Sequence, residues 1–217
     1  MNRPARLVTA ALTASAALLL TACGGGGGGS ENNGKIAGAD VGSNRSGTPS
    51  APASTTTDRP KIVLPSDVSY EFEWSKTGNP DKDAVLSDAE QRIKAVDMAI
   101  AKQKPLDPAY RFYSEGTAAA GSQKYIQEYV DHEARTTGVT RYYNESVTVK
   151  DDGTAAVVYC EDQSKAFNKY LKTGKTDVTP VTKNSYVIYA SNLHKNKSGI
   201  WITERIVSQR GSAKCQP

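Results

Sequence analysis

The stretch RYYNESVTVKDDGTAAVVYCED, residues 141–162, decides the fold class. Two β-rich runs, Tyr142 to Lys150 and Thr154 to Glu161, flank Asp151-Asp152-Gly153, and Asp and Gly tolerate the positive φ that a tight hairpin turn requires. The spacing predicts an antiparallel hairpin. Downstream, Ser185 to Leu193 and Gly199 to Ser208 form a second pair across His194-Lys-Asn-Lys-Ser198. In it Tyr186-Val-Ile-Tyr-Ala190 is apolar on both faces, as an interior strand covered on one side would be.

Upstream the period changes. In Asp67 to Trp74, the residues Val68, Tyr70, Phe72 and Trp74 alternate with Ser69, Glu71 and Glu73, which reads as a half-buried strand. Gly78-Asn79-Pro80 breaks it. Ser87-Asp-Ala-Glu90 fits a capping box, and Val85, Ala89, Ile93, Val96 and Ile100 follow at helical spacing up to Lys104-Pro105. A second helical region opens at Asp107-Pro108 and carries Tyr110, Phe112 and Tyr113. A third spans about Ala118 to Thr137, with Tyr125, Ile126, Tyr129 and Val130 on its apolar face and Gly138 just past its end.

Helices followed by a run of antiparallel strands give an α+β domain, with about three helices packed on one face of a curved antiparallel sheet. In element order, and in the C-terminal strand Gly199-Ile-Trp201-Ile-Thr203, the chain resembles the NTF2-like, or SnoaL-like, cone fold; a cystatin-like layout has much the same order. Through Asp107-Pro-Ala-Tyr-Arg-Phe-Tyr113, Val158-Tyr-Cys-Glu-Asp162, Lys183-Asn-Ser-Tyr-Val187 and Ser208-Gln-Arg-Gly211 it is also similar to secreted lipoproteins of actinomycetes. That likeness covers most of Lys61 to Pro217 and implies no particular activity.

The N-terminus has the layout of a secretory signal. Arg3 and Arg6 form a basic region, and Leu7 to Leu20 form an uncharged apolar stretch of about 14 residues, short of the roughly 20 a membrane-spanning helix needs. Leu20-Thr21-Ala22-Cys23 resembles a bacterial lipobox, which implies a diacylglyceryl thioether on Cys23 and cleavage before it. Two acyl chains give stable anchoring, since each buried CH₂ contributes ~0.8 kcal/mol. Residues 1–22 are then a lipoprotein signal peptide. Residues 23–60, rich in Gly, Ser, Thr and Pro, are a flexible tether. As a coil of ~40 residues it spans roughly 30–40 Å, from ~5–6 Å × √n. Residues 61–217 form a single domain. The expected location is the extracytoplasmic face of the cell membrane.

Composition limits the partners. Removing Arg3 and Arg6 with the signal lowers the formal net charge from +4 to +2, so nothing electrostatic favours nucleic acid. The densest basic patch, Lys169, Lys172 and Lys175, has no aromatic ladder around it and reads as a solvated face. Of three cysteines, Cys23 is assigned to lipid, and Cys160 and Cys215 remain as a pair that an exported protein most simply joins as a disulfide. Neither has a second Cys or a His at ligand spacing, which argues against a metal pair or a redox couple.

Motifs for chemistry are few. Lys172-Thr-Gly-Lys-Thr176 ends like a phosphate loop, but Lys169 stands where the first glycine is required, so the segment reads as a turn. His132, between Asp131 and Glu133, reads as a solvated helix residue, and His194 sits in a Lys/Asn-rich turn. No Gly-x-Ser-x-Gly elbow occurs. No catalytic, metal or cofactor residues are assigned. The aromatic residues offer a candidate pocket: Tyr113, Tyr129, Tyr143 and Trp201, with Tyr110, Phe112, Tyr125 and Tyr142 nearby, could line the mouth of a cone. Core packing explains the same rings without a ligand.

The expected function is a membrane-anchored lipoprotein binding a small molecule or a cell-envelope partner. The alternative is an enzyme of the isomerase or cyclase type, for which the cone-fold resemblance implies a buried carboxylate; Glu161 and Asp162, just past a strand, are the candidates.

Overall fold

A computed structural model describes residues 58–217. The expectations on residues 1–57, including the signal, Cys23 and most of the tether, lie outside the described residues. Within them the chain runs β1 (Val68–Phe72), α1 (Pro80–Ala101), α2 (Pro108–Phe112), α3 (Gly116–Asp131), β2 (Ala134–Val149), β3 (Thr154–Tyr170), β4 (Thr176–Asp177), β5 (Tyr186–Lys195) and β6 (Trp201–Arg210). Arg59, in the stretch read as tether, already pairs with Asp88 of α1. No helix among the described residues is long and apolar enough to cross a membrane.

The main path of the sheet runs β1-β2-β3-β5-β6, with β4 paired to β3. The expected hairpins are present, β2 with β3 across 151–153 and β5 with β6 across 196–200. The sheet is mixed rather than wholly antiparallel, because β1 joins the edge of β2 in parallel, Val68 opposite Gly138 and Phe72 opposite Tyr142. Three helices intervene between these two strands, so the chain re-enters in the same direction, as crossover connections do. Register shifts at Val139/Arg141 and Tyr143/Ser146 interrupt the β2–β3 ladder. Such bulges bend and twist a strand, and here they curve the sheet around the helices.

Two helix boundaries differ from the sequence reading. α1 begins at Pro80 rather than at the Ser87 capping box, which lies in the helix interior. Asn79 caps it, accepting from the N–H groups of Asp81 (3.0 Å) and Lys82 (3.1 Å). Pro80 occupies the first turn, where its missing N–H has no intrahelical role, and Asp81 and Asp83 face the positive end of the helix dipole. α3 stops at Asp131, and residues 134–137, read as its last turn, open β2. Glu133 at φ 47° turns the chain, and the β-branched run Thr136-Thr137, then Val139-Thr140, favours the extended state. Gly138 is therefore a strand residue, not a helix cap. Its φ is +94°, and a Cβ there would meet the Lys165 carbonyl oxygen at 2.2 Å.

The helices cover one face of the sheet in two apolar clusters. In one, Met98, Ile100, Tyr110, Tyr113 and Ile126 pack with Ile202; in the other, Val85, Leu86 and Ile93 pack with Tyr142, Val157 and Trp201. On the opposite face Cys160 and Cys215 form the expected disulfide, with Cα atoms 5.5 Å apart. Tyr143 packs against them, and its hydroxyl donates to the Cys215 carbonyl. The Lys172–Thr176 segment is a turn, closed by Gly174 N–H to Tyr170 O at 2.8 Å. Of the basic patch, Lys169 pairs with Asp67 at 3.0 Å.

Candidate functional site

Between α1, α3 and the helix-facing side of the sheet lie two adjoining hollows, an inner one of about 340 Å³ and an outer one of about 530 Å³. Asp97, Tyr125, Glu161 and Arg210 line both. The side chains reach this space by simple periodicity. Arg92 and Val96, and likewise Ile93 and Asp97, stand one turn apart on α1, and Ser122, Tyr125 and Tyr129 share a face of α3. On the sheet the period is two: Tyr159 and Glu161 point inward from β3, and Ile206, Ser208 and Arg210 from β6. Cross-strand pairing sets the rows, with Tyr142 opposite Glu161, Tyr159 opposite Tyr189, and Tyr189 opposite Ser208.

Two carboxylates carry the electrostatic character of the site. Asp97 accepts from the Tyr70 hydroxyl at 2.5 Å and from Thr136 Oγ1 at 3.3 Å. Burial outweighs both hydrogen bonds and raises its pKa to about 6. Glu161 is 7% exposed and accepts from Tyr142 Oη at 3.0 Å and from Gln163 Nε2 at 2.9 Å. Its pKa also rises to about 6, mainly through burial, with hydrogen bonds from Tyr142 and Tyr189 opposing and the negative charge of Asp97 adding to the rise. Neither carboxylate has an ion-pair partner among the described residues. A carboxyl group with a pKa near 6 can give or take a proton close to neutral pH.

Aromatic rings make the walls. Tyr159 and Tyr189 stack at 5.3 Å between centroids and 17° between planes. Tyr142 stacks on Phe72 at 4.7 Å, and the Tyr125 and Tyr129 hydroxyls meet at 3.3 Å by the outer hollow. Burial pushes the Tyr142 and Tyr189 phenols well above their ordinary value, so they remain hydrogen-bond donors. Arg210 sits at the junction and donates to Gln163 Oε1 and to the Asn184 carbonyl, each at 2.7 Å.

Of the four residues expected in a pocket, only Tyr129 lines one of these hollows. Tyr113 is fully buried under α1, with Arg59 Nη1 3.5 Å from its hydroxyl. Trp201 is 1% exposed in the core, its backbone N–H held by Asp88 at 2.9 Å. Tyr143 points to the opposite face because it follows Tyr142 in a strand. Tyr110 and Phe112 pack in and against the core, while Tyr125 and Tyr142 do line the hollows. The same alternation separates the two acid candidates: Glu161 faces the hollow, and Asp162 faces away, 3.8 Å from Arg141 Nη1. His132 is exposed at the end of α3.

Sequence reasoning missed Asp97, Arg92, Tyr159 and Tyr189. A signal existed for Asp97: it stands four residues after Ile93 and three before Ile100, a carboxylate on the apolar stripe of α1. At the end of β5, His194 Nδ1 lies 3.1 Å from Glu204 and 3.8 Å from Glu115. One ligand atom from each of these three residues falls within 4.8 Å of the others, but both carboxylates are exposed. The two carboxylates are solvated, whereas the His194 Nδ1 atom that faces them is buried.

No protein-family model and no curated protein matches the chain. Among solved structures it is similar to a ketosteroid isomerase-like protein from Erwinia carotovora atroseptica, at 14% identity over 62% of this chain and 98% of that one, with a TM-score of 0.42. It is also similar to Aln2 from a Streptomyces species, at 12% identity, 62% and 94% coverage and a TM-score of 0.42. A third is the intermembrane space region of the chloroplast protein ARC6, at 16% identity, 61% and 98% coverage and a TM-score of 0.41. At these identities and scores the likenesses say nothing of what the chain binds. By its own geometry the described part of the chain is an α+β domain, with helices on one face of a curved mixed sheet and an acid-lined hollow between them.

Proposed function

We propose that this chain is a small-molecule binding module whose ligand occupies the hollows between α1, α3 and the sheet. The observation that carries this reading is the placing of Asp97 and Glu161 on one wall of tyrosines, two inward-turned carboxylates with no ion pair among the described residues and only the more distant charge of Arg210 acting on Glu161. Burying such groups is unfavourable for folding, and a ligand that hydrogen-bonds to them offsets that cost. The volumes fall in the range of small-molecule sites.

The module works at the extracytoplasmic face of the cell membrane, held there by a diacylglyceryl group on Cys23 and a tether. The lipobox-like Leu20-Thr21-Ala22-Cys23 supports this, and the Cys160–Cys215 disulfide supports an oxidising compartment. A cell-wall partner remains compatible with the outer hollow, which opens beside the segment around Pro180.

A second reading is an enzyme of the isomerase or cyclase type. Glu161, titrating near pH 6 and oriented by the Tyr142 hydroxyl, favours it: the carboxylate could take a proton from a carbon next to a carbonyl, and a tyrosine hydroxyl could stabilise the resulting oxyanion. A thermal-shift screen of small molecules against the protein tests the binding reading. For any compound found, Glu161→Gln separates the two: a pure binding site keeps affinity within a few-fold and no compound is converted, whereas the enzyme loses turnover and retains binding.

A further inference from the structure

Within the inner hollow one guanidinium has no ion-pair partner among the described residues. Arg92 is 7% exposed, and its nitrogens are held by neutral groups: Nε donates to Ser114 Oγ at 2.8 Å and Nη2 to Ser122 Oγ at 2.7 Å. Ser122 gives its own proton to the Ala118 carbonyl, so its oxygen is oriented to accept. The carboxylate one turn away, Asp88, is occupied by Arg59 and by the Trp201 N–H. Among the described residues no carboxylate pairs with Arg92, and its Nη1 makes no hydrogen bond.

A guanidinium stays charged in a protein, and a buried charge without a counter-ion is costly. The two serines do not neutralise it. They fix the plane of the guanidinium, and Arg92 lines the inner hollow beside Tyr159 and Tyr189. Such a group is pre-organised for an oxyanion, because charge-assisted hydrogen bonds from guanidinium to carboxylate are roughly twice as strong as neutral ones.

Resting on the small-molecule reading above, we propose that the inner hollow selects a monoanionic ligand: a carboxylate bound by Arg92, carried on a flat apolar body that lies along Tyr159, Tyr189 and Ile206. One guanidinium matches one carboxylate, since Arg210, which also lines the hollow, is already held by Gln163 and the Asn184 carbonyl. A second negative charge on the ligand would lie toward Asp97 and Glu161 and be repelled, whereas a hydroxyl or carbonyl at that end finds hydrogen-bond partners there.

The test is calorimetric titration of the full chain with one- and two-ring aromatic carboxylates, each paired with its amide and its amine of the same frame. Carboxylates should bind at least about tenfold more tightly than their amides, and amines least. In Arg92→Gln the preference should shrink to within about twofold; in Arg92→Lys part of it should remain. If amides or amines bind as well as the carboxylates, the anion assignment is overturned and the hollow stands as a ligand site. If no probe of any charge binds, both the assignment and the small-molecule reading fall. Circular dichroism shows whether Arg92→Gln folds; if it does not, the ranking of the paired probes on the unmutated chain still decides.

Discussion

The Tyr142 hydroxyl donates to Glu161 Oε1 at 3.0 Å across the β2–β3 ladder, where the two residues stand directly opposite. One strand pairing thus brings a phenol and a carboxylate of raised pKa to the wall of the same hollow. Because the pairing is set by the hairpin register, a one-residue slip of either strand would turn its own side chain to the other face and part the two.

Stability should fall as pH rises from about 4 to 6. Asp97 and Glu161 have folded pKa values of about 6 against ordinary values of 3.8 and 4.5. Through that window the unfolded chain has released protons that the folded protein still holds, so the fold loses ground until both states are ionised. At about 1.4 kcal/mol per pH unit, Glu161 alone is worth about 2 kcal/mol. Urea unfolding at pH 4, 6 and 8 reads this directly, and Glu161→Gln should be the more stable protein at pH 8. Asp67 acts in the opposite sense: Arg135 and Lys169 hold its carboxyl below the usual range, so its contribution is present above about pH 4 and is lost on further acidification. A stability that rises from pH 4 to 8 and does not respond to Glu161→Gln would contradict the raised pair.

Gly138→Ala should destabilise the domain by at least about 2 kcal/mol. The left-handed backbone and the Lys165 carbonyl together leave no room for a methyl group. Chemical denaturation measures the loss, and it should be larger than for Gly153→Ala, where nothing lies within 4 Å of the added atom although φ is +79°.

The Cys160–Cys215 disulfide closes a sequence separation of 55 residues, and the chain-entropy model gives it up to about 4 kcal/mol. Reduction, or the double change to alanine, should lower the melting temperature. It should also open residues 211–217 to proteolysis, read by mass spectrometry of the fragments, before the remainder of the sheet is cut.

Mass spectrometry of the membrane fraction should find a mature N-terminus at Cys23 carrying a diacylglyceryl group, and Cys23→Ser should move the protein out of that fraction. An unmodified N-terminus at another residue would remove the anchor.

Local chemistry made much of the fold legible. Asp151-Asp152-Gly153 specifies its hairpin, and the alternation at Val68 to Phe72 specifies β1. The differences lie where a stronger local signal or a tertiary contact overrules the one read. Ser87 has capping chemistry but lies inside a helix already started by Asn79 and Pro80. Gly138 resembles a helix stop, yet it is a glycine because another strand passes within 2.2 Å of where its Cβ would be. The parallel entry of β1 depends on contacts with β2, more than sixty residues away, that no local pattern encodes. For the site, Glu161 was legible as an acid beside a strand, but facing could not be assigned between Glu161 and Asp162 without the register. Tyrosines do not announce whether they pack or line, and Asp97 and Arg92 were hidden in a helix read only for its apolar residues.

The most direct test of the central claim is chemical-shift mapping of the protein, with its tyrosine rings and carboxyl carbons labelled, against a small-molecule library. The account predicts that binders shift Tyr159, Tyr189, Asp97 and Glu161 together and lower the midpoint near pH 6 of at least one carboxyl when they carry a hydrogen-bond donor. Binders that cluster elsewhere and leave these four residues unshifted would contradict it.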